Sequence, residues 1–428
     1  MAKYKLKPFT NARRIDPSRI LLFNIVSGKK ALISSSVFQR LLDGDCDVSL
    51  GNEKFVSDNF FINESDYNGD MRRNSLSIIS HAINNADRLS LYLVVTRQCN
   101  FKCPYCYMEK NLKATGGYIS KEILGYVASW INCRIEHYRH SSVTIYLYGG
   151  EPFYEPKSLI KLVEDLREKI SVPTCFYTAS NGYNVNRESI DRLKRLGLKR
   201  IMITLDGPPK VHDKRRLLVN SESGTFNRIL QNVKDICMDI HTCVRVNIDA
   251  QNINKFAQLL SILKTEGLEK SITIDAYPVE VGCADNAHCK DFLLDSEQAK
   301  GIVDLWRLIV KEGFRLEKRI PFAAPCFYYG NHSYAIDTNG DVYPCPGMIG
   351  DKQQLCGSVV DARNYDKHVP QVWEKCIGCE NVFLCSGGCR IVALSTGKEI
   401  WYRDCRKEFM SEIRKEYFYL YDYEIIKV

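Results

Sequence analysis

The chain has 428 residues, a formal net charge of +8 and 18 cysteines. This length allows two or three domains with sizeable cores, and it excludes a small secreted scaffold stapled by disulfides. The N-terminal residues 1–8 lack the apolar core of a signal peptide, and no apolar run is as long as a membrane span, so we expect a cytoplasmic protein without a membrane partner.

The cysteine and histidine counts indicate the kind of metal site. Clustered cysteines in a cytosolic chain predict metal centres, and only eight histidines favour thiolate-rich iron–sulfur sites over Cys/His zinc sites. The positive charge favours an acidic partner, either nucleic acid or an acidic peptide. No basic run or RNA-binding motif accompanies it, so we do not expect nucleic acid as the partner.

Residues 1–88 carry no metal pattern and predict a small α+β unit, for which a winged-helix-like arrangement is the candidate. The predicted elements are strands at Ile20–Asn24 and Ala31–Ile33, a helix at Ser34–Leu42, a second hairpin from Lys54–Val56 and Asn59–Ile62, and a helix over Asp70–Ile83. Such a unit could bind a peptide by strand addition at a short edge strand, or it could be a lid over the next domain.

From residue 89 to about 290 the pattern alternates between strand and helix. The predicted strands are Leu89–Val95, Val143–Tyr148, Cys175–Thr178, Arg200–Leu205, Cys243–Ile248 and Ile272–Ala276. The predicted helices are Lys121–Trp130, Lys157–Lys169, Arg187–Leu196, Phe226–Met238 and Lys255–Glu266. Repeated β/α units predict an α/β fold with a parallel sheet, open or closed into a partial barrel, that binds ligands where its strands end.

Unusual residues follow the predicted strands at that edge. They are Cys99, Cys103 and Cys106 after the first strand, Gly149-Gly150-Glu151-Pro152 after the second, Ser180-Asn181-Gly182 after the third, Asp206-Gly207-Pro208 after the fourth, and Arg245 and Asn247 on the fifth. Turn chemistry explains any one of these segments. Their coincidence at one edge predicts a functional site.

Two cysteine patterns are specific enough to predict metal chemistry. The CxxxCxxC loop Cys99–Cys106 supplies three thiolates, an incomplete set for a tetrahedral site or a four-iron cluster, so one coordination position stays open. A zinc loop with a distant fourth ligand is the alternative. The second pattern is Cys326, Gly340, Cys345, then Cys376-x2-Cys379-x5-Cys385-x3-Cys389, then Cys405, for which a zinc ribbon is the alternative.

The first pattern, with Tyr105 just before its last cysteine, resembles the radical SAM enzymes. The resemblance implies a partial (β/α)6 TIM-like barrel in which Cys99, Cys103 and Cys106 hold a [4Fe-4S] cluster that binds S-adenosylmethionine (SAM). It assigns contacts with SAM to Tyr105, Gly149, Gly150, Glu151, Pro152, Ser180, Asn181, Asp206 and Arg245. Arg245, by this resemblance, would pair with the methionyl carboxylate. The run His212–Arg216 resembles one in the branch that matures peptides and proteins.

The second pattern resembles the SPASM domain, here residues 326–428, which residues 291–325 would join to the barrel through a helix at Asp295–Glu312. The resemblance implies two auxiliary [4Fe-4S] clusters, one on Cys326, Cys345 and Cys389 and one on Cys376, Cys379, Cys385 and Cys405. The fourth ligand of the former could be Cys283, Cys289 or Cys356, or the position could be open. Cys46, Cys133, Cys175, Cys237 and Cys243 are expected to be small buried apolar residues.

The resemblance therefore implies an enzyme with three [4Fe-4S] clusters that cleaves SAM to a 5′-deoxyadenosyl radical and abstracts hydrogen from a substrate. We expect a maturase of a ribosomally made peptide, giving a cross-linked or oxidised product, with a precursor peptide and a reducing protein such as flavodoxin or ferredoxin as partners. The alternatives are formylglycine formation, as in the anaerobic sulfatase maturases, modification of RNA or of a small cofactor precursor, and a non-enzymatic iron–sulfur or zinc protein. In those maturases, by the same resemblance, an Asp that acts as the base follows the cysteine equivalent to Cys345, and here that position is Pro346, which argues against formylglycine formation. No catalytic residue can be assigned.

Overall fold

The computed structural model describes residues 4–7, 9–24, 29–43, 52–84, 86–106, 108, 117–279, 296–317, 326–361 and 366–421. The N-terminal part comprises β1 (Tyr4–Leu6), β2 (Thr10–Arg14), β3 (Arg19–Asn24), β4 (Lys30–Ser34), α1 (Ser35–Asp43), α2 (Asn52–Phe60), β5 (Phe61–Asn63) and α3 (Tyr67–Asn84). Strands β2, β3 and β4 form an antiparallel sheet with β3 in the middle. This unit has an apolar cluster of its own, in which Leu22, Leu41 and Phe60 are fully buried.

The predicted second hairpin of this unit is wrong. Residues 52–60 form α2, in which Val56 and Phe60 are buried; these two side chains are four residues apart and so share one face of the helix. The strand that follows, β5, pairs antiparallel with β1, which was not among the predicted strands. The predicted helices at Ser34–Leu42 and Asp70–Ile83 are present as α1 and α3.

The next part of the chain forms six parallel strands with helices between them. The strands are β6 (Arg88–Thr96), β7 (Ser142–Gly149), β8 (Thr174–Ser180), β9 (Leu198–Thr204), β10 (His241–Ile248) and β11 (Ile272–Pro278). The helices are α4 (Lys121–Tyr138), α5 (Pro156–Lys169), α6 (Arg187–Arg195), α7 (Pro209–Arg215), α8 (Phe226–Ile236) and α9 (Phe256–Thr265). Each strand pairs in parallel with the next, which confirms the predicted α/β partial barrel.

The cysteine-rich part continues the same sheet. After α10 (Ser296–Lys311) and β12 (Arg315–Leu316), strand β13 (Ser333–Ile336) pairs in parallel with β6, and β14 (Asp341–Tyr343) and β15 (Gly357–Ser358) follow antiparallel. Three short or terminal helices complete the chain: α11 (Val382–Cys385), α12 (Arg390–Ser395) and α13 (Lys407–Tyr421). Tyr334 and Tyr343 are fully buried in the core that the barrel also uses. The predicted start of α10 at Asp295 lies outside the described residues.

The N-terminal unit contacts the cysteine-rich part through its β2 side. Arg13 on β2 forms an ion pair with Glu416 on α13, and the rings of Phe9 and Phe383 meet edge to face at 4.5 Å. Strand β4 therefore lies on the opposite edge of the three-stranded sheet. Within the described ranges, no helix is both long enough and apolar enough to cross a membrane.

Candidate active site at the barrel edge

The glycine pair after β7 is required by close packing of backbone on backbone. Gly149 has φ +131°, and a Cβ there would lie 2.1 Å from the carbonyl oxygen of Thr96. A Cβ on Gly150 would lie 2.2 Å from the carbonyl oxygen of Gln98. The amides of Gly150 and Glu151 donate to these same two carbonyls, at 2.9 and 2.8 Å. The pair thus attaches the end of β7 to the residues that enter the cysteine loop.

Glu151 holds this edge together by means of its carboxylate. The side chain is 1% exposed, and its two oxygens accept hydrogen bonds from the Ser180 hydroxyl (2.7 Å), the Asn181 amide (2.6 Å) and the Phe153 amide (2.8 Å). Burial raises the pKa of Glu151, and these three hydrogen bonds oppose that rise. The resemblance assigns Glu151 a contact with SAM; in this structure its carboxylate is engaged by residues at the ends of β7 and β8.

Ser180 and Asn181 join β8 to the cysteine loop. The Asn181 side-chain amide donates to Oδ1 of Asn100, inside the CxxxCxxC loop, at 2.7 Å. Its Oδ1 accepts from the amide of Tyr183, and Ser180 Oγ accepts from the amide of Gly182. Pro152 is buried nearby, and its carbonyl accepts from the Tyr118 hydroxyl at 2.7 Å. The predicted residues of the second and third strands therefore meet in one hydrogen-bonded network.

Asp206 lies beneath Tyr105 and does not reach the surface. Its carboxylate is fully buried and accepts hydrogen bonds from the Tyr105 hydroxyl and from the amide of Asn247 (3.0 Å). The Arg216 Nη1 donates to the Tyr105 oxygen at 2.7 Å, and Arg215 Nε lies 3.8 Å from the Asp206 carboxylate. Residues from the cysteine loop, β9, α7 and β10 thus converge on the Tyr105 hydroxyl.

Arg216 is a buried cation with spare hydrogen-bonding capacity. It is 7% exposed, its guanidinium lies 5.5 Å from the Phe101 ring centre, and its charge interacts with Cys103. Among the described residues, its Nε has no hydrogen-bond partner. A buried donor without a partner is costly, so this guanidinium is poised to bind an anionic group.

His212 fixes the backbone that carries Asp206. The Asp206 amide donates to His212 Nδ1 at 3.2 Å, so that nitrogen is unprotonated and Nε2–H faces Thr225 Oγ1 at 3.1 Å. Burial lowers the pKa of His212 far below its usual value, and the charges of Arg216 and Arg215 lower it further. His212 is therefore a neutral structural residue.

Arg245 already has a carboxylate partner in this structure. Its Nη1 donates to Asp275 at 2.8 Å and its Nε to Asn247 Oδ1 at 2.9 Å. Asp275 is 3% exposed, so the pair is a buried ion pair between β10 and β11. Arg245 lies on β10 as predicted. Its positive charge is compensated by the Asp275 carboxylate, whereas the positive charge of Arg216 is only partly compensated.

The three thiols of the loop lie together and are partly buried. Burial raises the pKa of Cys99 to about 12 and that of Cys103 to about 11. The three thiols are also close enough that the thiolate charges of Cys103 and Cys106 raise the pKa of Cys99, and the thiolate charge of Cys106 raises that of Cys103. Metal binding would replace these protons, since only thiolates are ligands.

The C-terminal cysteines fall into two groups. In the first group, burial and the thiolate charges of Cys326 and Cys389 raise the pKa of Cys345. In the second group, burial together with Cys379 and Cys405 raises the pKa of Cys376, and burial together with Cys376 raises that of Cys385. Within the described ranges, no three His, Cys, Asp or Glu side chains are arranged around a single metal ion. A four-iron cluster binds each thiolate to a different iron, so its ligands need not converge on one point.

Lys367 joins the loops that carry the first group. It is 7% exposed, and its Nζ donates to the carbonyls of Phe327 (2.9 Å), Pro344 (3.1 Å) and Tyr328 (3.3 Å). Its charge interacts with Cys356, Cys345 and Cys326, so Cys356 is the candidate fourth ligand that lies in this neighbourhood. The other candidates, Cys283 and Cys289, lie outside the described residues.

The remaining cysteines are only partly as expected. Cys237 and Cys243 are buried and Cys175 is partly buried, but Cys133 is exposed on the outer face of α4, while its neighbours Arg134 and Ile135 are buried. Cys46 lies outside the described residues. The prediction of a buried Cys133 is therefore wrong, because a cysteine alone does not reveal which face of a helix it occupies.

Sequence reasoning did not assign a role to Arg216, Asn100 or Lys367. Arg216 stood inside a run that was noted only for its resemblance, and an arginine in such a run gives no sign of which charges surround it. Lys367 carries no motif signal, because its partners are backbone carbonyls far away in the chain.

Comparison with known proteins relates part of this chain to a family. Residues 93–266 match the family model of the Radical SAM superfamily. An uncharacterized Methanocaldococcus jannaschii protein, MJ0804, is 30% identical over 202 residues, 42% of this chain and 61% of that protein. Fe-coproporphyrin III synthase of Methanosarcina barkeri is 28% identical over 185 residues, and the sporulation killing factor maturation protein SkfB of Bacillus subtilis 25% over 187, with 41% of each relative covered.

Two solved structures have a similar fold over most of the chain. The SAM-bound protein anSMEcpe superposes with a TM-score of 0.56 at 16% identity and covers 79% of this chain and 98% of its own. Streptococcus suis SuiB, solved with its precursor peptide SuiA, gives a TM-score of 0.55 at 14% identity and covers 94% of this chain and 100% of its own. At these identities the likeness concerns the fold. The chain spans between two fifths and about three fifths of the curated relatives.

Proposed function

We propose that this chain, which carries a radical SAM domain over residues 93–266 and is thereby an iron–sulfur enzyme, matures a ribosomally made precursor peptide in the cytoplasm. The convergence of three thiols, a buried arginine and a hydrogen-bonded barrel edge supports the SAM chemistry. The observation that supports a peptide substrate is the N-terminal unit, in which β4 pairs with β3 on one side and with no other described strand. SkfB, whose name describes maturation of a killing factor, is the relative that agrees with this choice.

The residues present fit the implied cofactor. Cys99, Cys103 and Cys106 would hold a [4Fe-4S] cluster, and the chemistry supplied by that cluster when bound would be the one-electron cleavage of SAM to methionine and a 5′-deoxyadenosyl radical. Arg216 would bind the methionyl carboxylate, because its guanidinium is buried beside Cys103 and incompletely hydrogen-bonded. Its partner Tyr105 keeps the guanidinium in place, and Asp206 orients Tyr105 from below.

The other edge residues keep the site rigid. Glu151 fixes the ends of β7 and β8 against one another, and the two glycines fix β7 against the residues before Cys99. Rigid placement matters here, since a radical must meet its target carbon at short distance while water is kept out. Ser180 and Asn181 complete the edge next to the loop, where they would face the nucleoside and methionyl parts of SAM.

The two C-terminal cysteine groups would hold two auxiliary [4Fe-4S] clusters. Cys376, Cys379, Cys385 and Cys405 make a complete set of four thiolates, whereas Cys326, Cys345 and Cys389 make three. Cys356 would complete the smaller set, or the position would stay open for substrate. Auxiliary clusters suit a reaction whose product radical must give up an electron, and we propose a flavodoxin- or ferredoxin-class protein as the reducing partner.

Strand β4 is the proposed binding edge for the precursor peptide. It pairs only with β3 in the described part of the chain, and Lys30, Leu32 and Ser34 face outward. Leu32 is 45% exposed, which would give an apolar anchor to an added strand. The opposite edge, β2, faces α13, so β4 is the edge of this sheet that an incoming peptide can extend.

A second candidate function is modification of a small cofactor precursor. The observation that favours it is the similarity to Fe-coproporphyrin III synthase, which is slightly greater than that to SkfB. That similarity covers only 41% of this chain, and the N-terminal edge strand has no role in it. Tight binding of a porphyrin, with no binding of any peptide encoded beside the gene, would favour this alternative.

The test is anaerobic reconstitution followed by product analysis. We expect about twelve irons per chain, as three four-iron clusters require, and 5′-deoxyadenosine upon addition of SAM, dithionite and a neighbouring precursor peptide, with a mass change in the peptide. Removal of residues 1–88 should weaken peptide binding far more than SAM cleavage. Equal loss of both, or a peptide of unchanged mass beside abundant 5′-deoxyadenosine, would refute the maturase proposal.

A further inference from the structure

Two neighbouring aromatic side chains lie exposed beside the second cysteine group. Trp401 is 54% exposed and Tyr402 is 48% exposed, and both line an open depression of about 700 Å³ together with Cys405. Large aromatic side chains seldom lie side by side in water without a binding role, because both lose hydrophobic free energy there. The depression is therefore a candidate contact surface.

Positive charges surround this aromatic pair. Lys375, Lys398 and Arg403 are all exposed at its rim, against a single carboxylate, Glu399. Lys398 Nζ lies 5.6 Å from the Tyr402 ring centre, and Lys375 Nζ donates to the Trp401 carbonyl at 3.3 Å. The rim thus combines a net positive charge with a central apolar patch, the arrangement that binds and steers an acidic protein.

The same surface adjoins cysteines of the proposed second auxiliary cluster. Cys405 is exposed in the depression, and Lys375 directly precedes Cys376. The Arg403 side chain hydrogen-bonds to the Cys376 sulfur and also donates to the Lys375 carbonyl at 3.3 Å. Any protein that covers Trp401 and Tyr402 would therefore approach these thiols closely.

We propose that the surface formed by Lys375, Lys398, Trp401, Tyr402 and Arg403 docks an acidic one-electron carrier protein, which exchanges electrons with the cluster on Cys376, Cys379, Cys385 and Cys405. The inference rests on the proposed function, since it needs that cluster. In the reducing direction, the anionic hydroquinone of a flavodoxin would lose one electron to become the neutral semiquinone, and the oxidised cluster would gain that electron. Such encounters need only a small interface, below about 1,200 Å² in total.

The carrier is favoured over the precursor peptide by what the surface adjoins. A peptide must bring its target residue to the barrel edge next to Cys99, Cys103 and Cys106. This surface is instead built around thiols of another group, for which an electron carrier is the fitting partner. Its mixed apolar and cationic character also matches a transient protein contact better than a groove for an extended chain.

The experiment compares a flavodoxin with a small chemical reductant. A double variant, Lys398→Glu with Trp401→Ala, is reconstituted beside the wild type and the control Lys194→Glu, an exposed charge reversal on α6. Arg403 is left intact because it touches Cys376. Reduction is followed by stopped-flow absorbance with photoreduced bacterial flavodoxin and, separately, with dithionite, at low and high salt.

We expect the double variant to lose at least tenfold in the rate with flavodoxin at low salt, while the dithionite rate and the iron content stay at wild-type values. The wild-type flavodoxin rate should fall with salt, as a steered encounter does. A fully loaded double variant that flavodoxin reduces as fast as the wild type would overturn the docking proposal alone, and so would a loss confined to precursor-peptide affinity. A wild type with only about four irons, one cluster's worth, would overturn it by refuting the assignment of an auxiliary cluster to these cysteines.

Discussion

The side chains at the barrel edge differ in whether they face a ligand or hold the edge together. Glu151 and Asp206 are carboxylates in motifs, yet both are buried and saturated with hydrogen bonds from the protein. Arg216, which has no such saturation, has binding capacity left, since its Nε and that of Arg215 have no hydrogen-bond partner in the described part of the chain. Burial and hydrogen-bond inventory, rather than residue type, therefore distinguish supporting residues from binding residues.

Gly150→Val should abolish SAM cleavage by displacing the cysteine loop. A Cβ at this position would lie 2.2 Å from a backbone oxygen that cannot move independently, so either the β7 end or residues 96–98 must shift. We expect a loss of about 1–3 kcal/mol in unfolding free energy and no detectable 5′-deoxyadenosine. Gly125→Ala on α4, where a Cβ meets nothing within 4 Å, is the control and should be neutral or slightly stabilising. Wild-type turnover by Gly150→Val would contradict the packing argument.

Arg216→Met and Arg245→Met should fail in different ways. In Arg216→Met, SAM loses a charge-assisted hydrogen bond of about 1.5–3 kcal/mol, so its dissociation constant should rise roughly 10- to 100-fold. Arg245→Met should instead destabilise the fold by about 3–5 kcal/mol, because it removes the ion-pair partner of the buried Asp275 carboxylate.

The double variant Arg245→Met/Asp275→Asn is the control for this pair, since it removes both charges and should recover stability. Equilibrium dialysis with labelled SAM and denaturant melts measure the two effects. If the double variant loses SAM binding while Arg216→Met keeps it, Arg245 is the carboxylate partner after all.

Lys367→Met should reduce iron loading at the first auxiliary group. The ammonium satisfies three carbonyls next to Cys326 and Cys345, and it supplies positive charge beside their thiolates. We expect iron to fall from about twelve to about eight per chain, as loss of one four-iron cluster implies. Lys352→Met, an exposed lysine paired with Asp341, is the matched control. Equal iron in both variants would show that the buried ammonium is dispensable.

Within the described part of the chain, strand β4 has an edge that pairs with no further strand, and this edge suggests a partner. The other strands of its sheet are either central or turned toward α13, whereas β4 presents alternate residues outward. Helix α2 beside it shows how the sequence can mislead at this scale. Its residues have strand-like composition in short stretches, but the burial of Val56 and Phe60 follows the helical period.

Leu32→Glu should weaken precursor-peptide binding without affecting SAM. The substitution removes an exposed apolar contact on β4 and places a negative charge where a strand would be added. We expect at least a tenfold rise in the peptide dissociation constant by fluorescence anisotropy, with an unchanged SAM constant. Met238→Glu, at a 79% exposed site after α8, controls for the added charge. Equal peptide affinity in the two variants would exclude β4 as the binding edge.

For the whole molecule, one continuous sheet joins the barrel to the cysteine-rich part. Strand β13 extends the barrel from β6, and buried tyrosines of that part belong to the barrel core. The N-terminal unit then attaches to the far side of the cysteine-rich part through Phe9 and Arg13. Any loss of order around the auxiliary cysteines should therefore reach the N-terminal unit before it reaches the barrel.

Iron removal should loosen the C-terminal part selectively. Residues 326–361 and 366–421 hold much of their structure in short turns between cysteines, so cluster binding adds directly to their stability. We expect faster hydrogen exchange there and in β2 after chelation, while β7–β9 and helices α4–α6 stay protected. Uniform exchange changes over the whole chain, measured by mass spectrometry under anaerobic conditions, would contradict this division.

The sequence alone determined the six barrel strands and the two cysteine patterns, because strand periodicity and ligand spacing are local properties. The tertiary structure decided which charged side chains are fully engaged by other protein groups and which retain an unused hydrogen-bond donor. It paired Arg245 with Asp275, buried Glu151 among backbone amides, left Arg216 with an unused donor and surrounded Lys367 with carbonyls. These contacts join residues far apart in the chain, and their strength depends on burial, which no local pattern encodes.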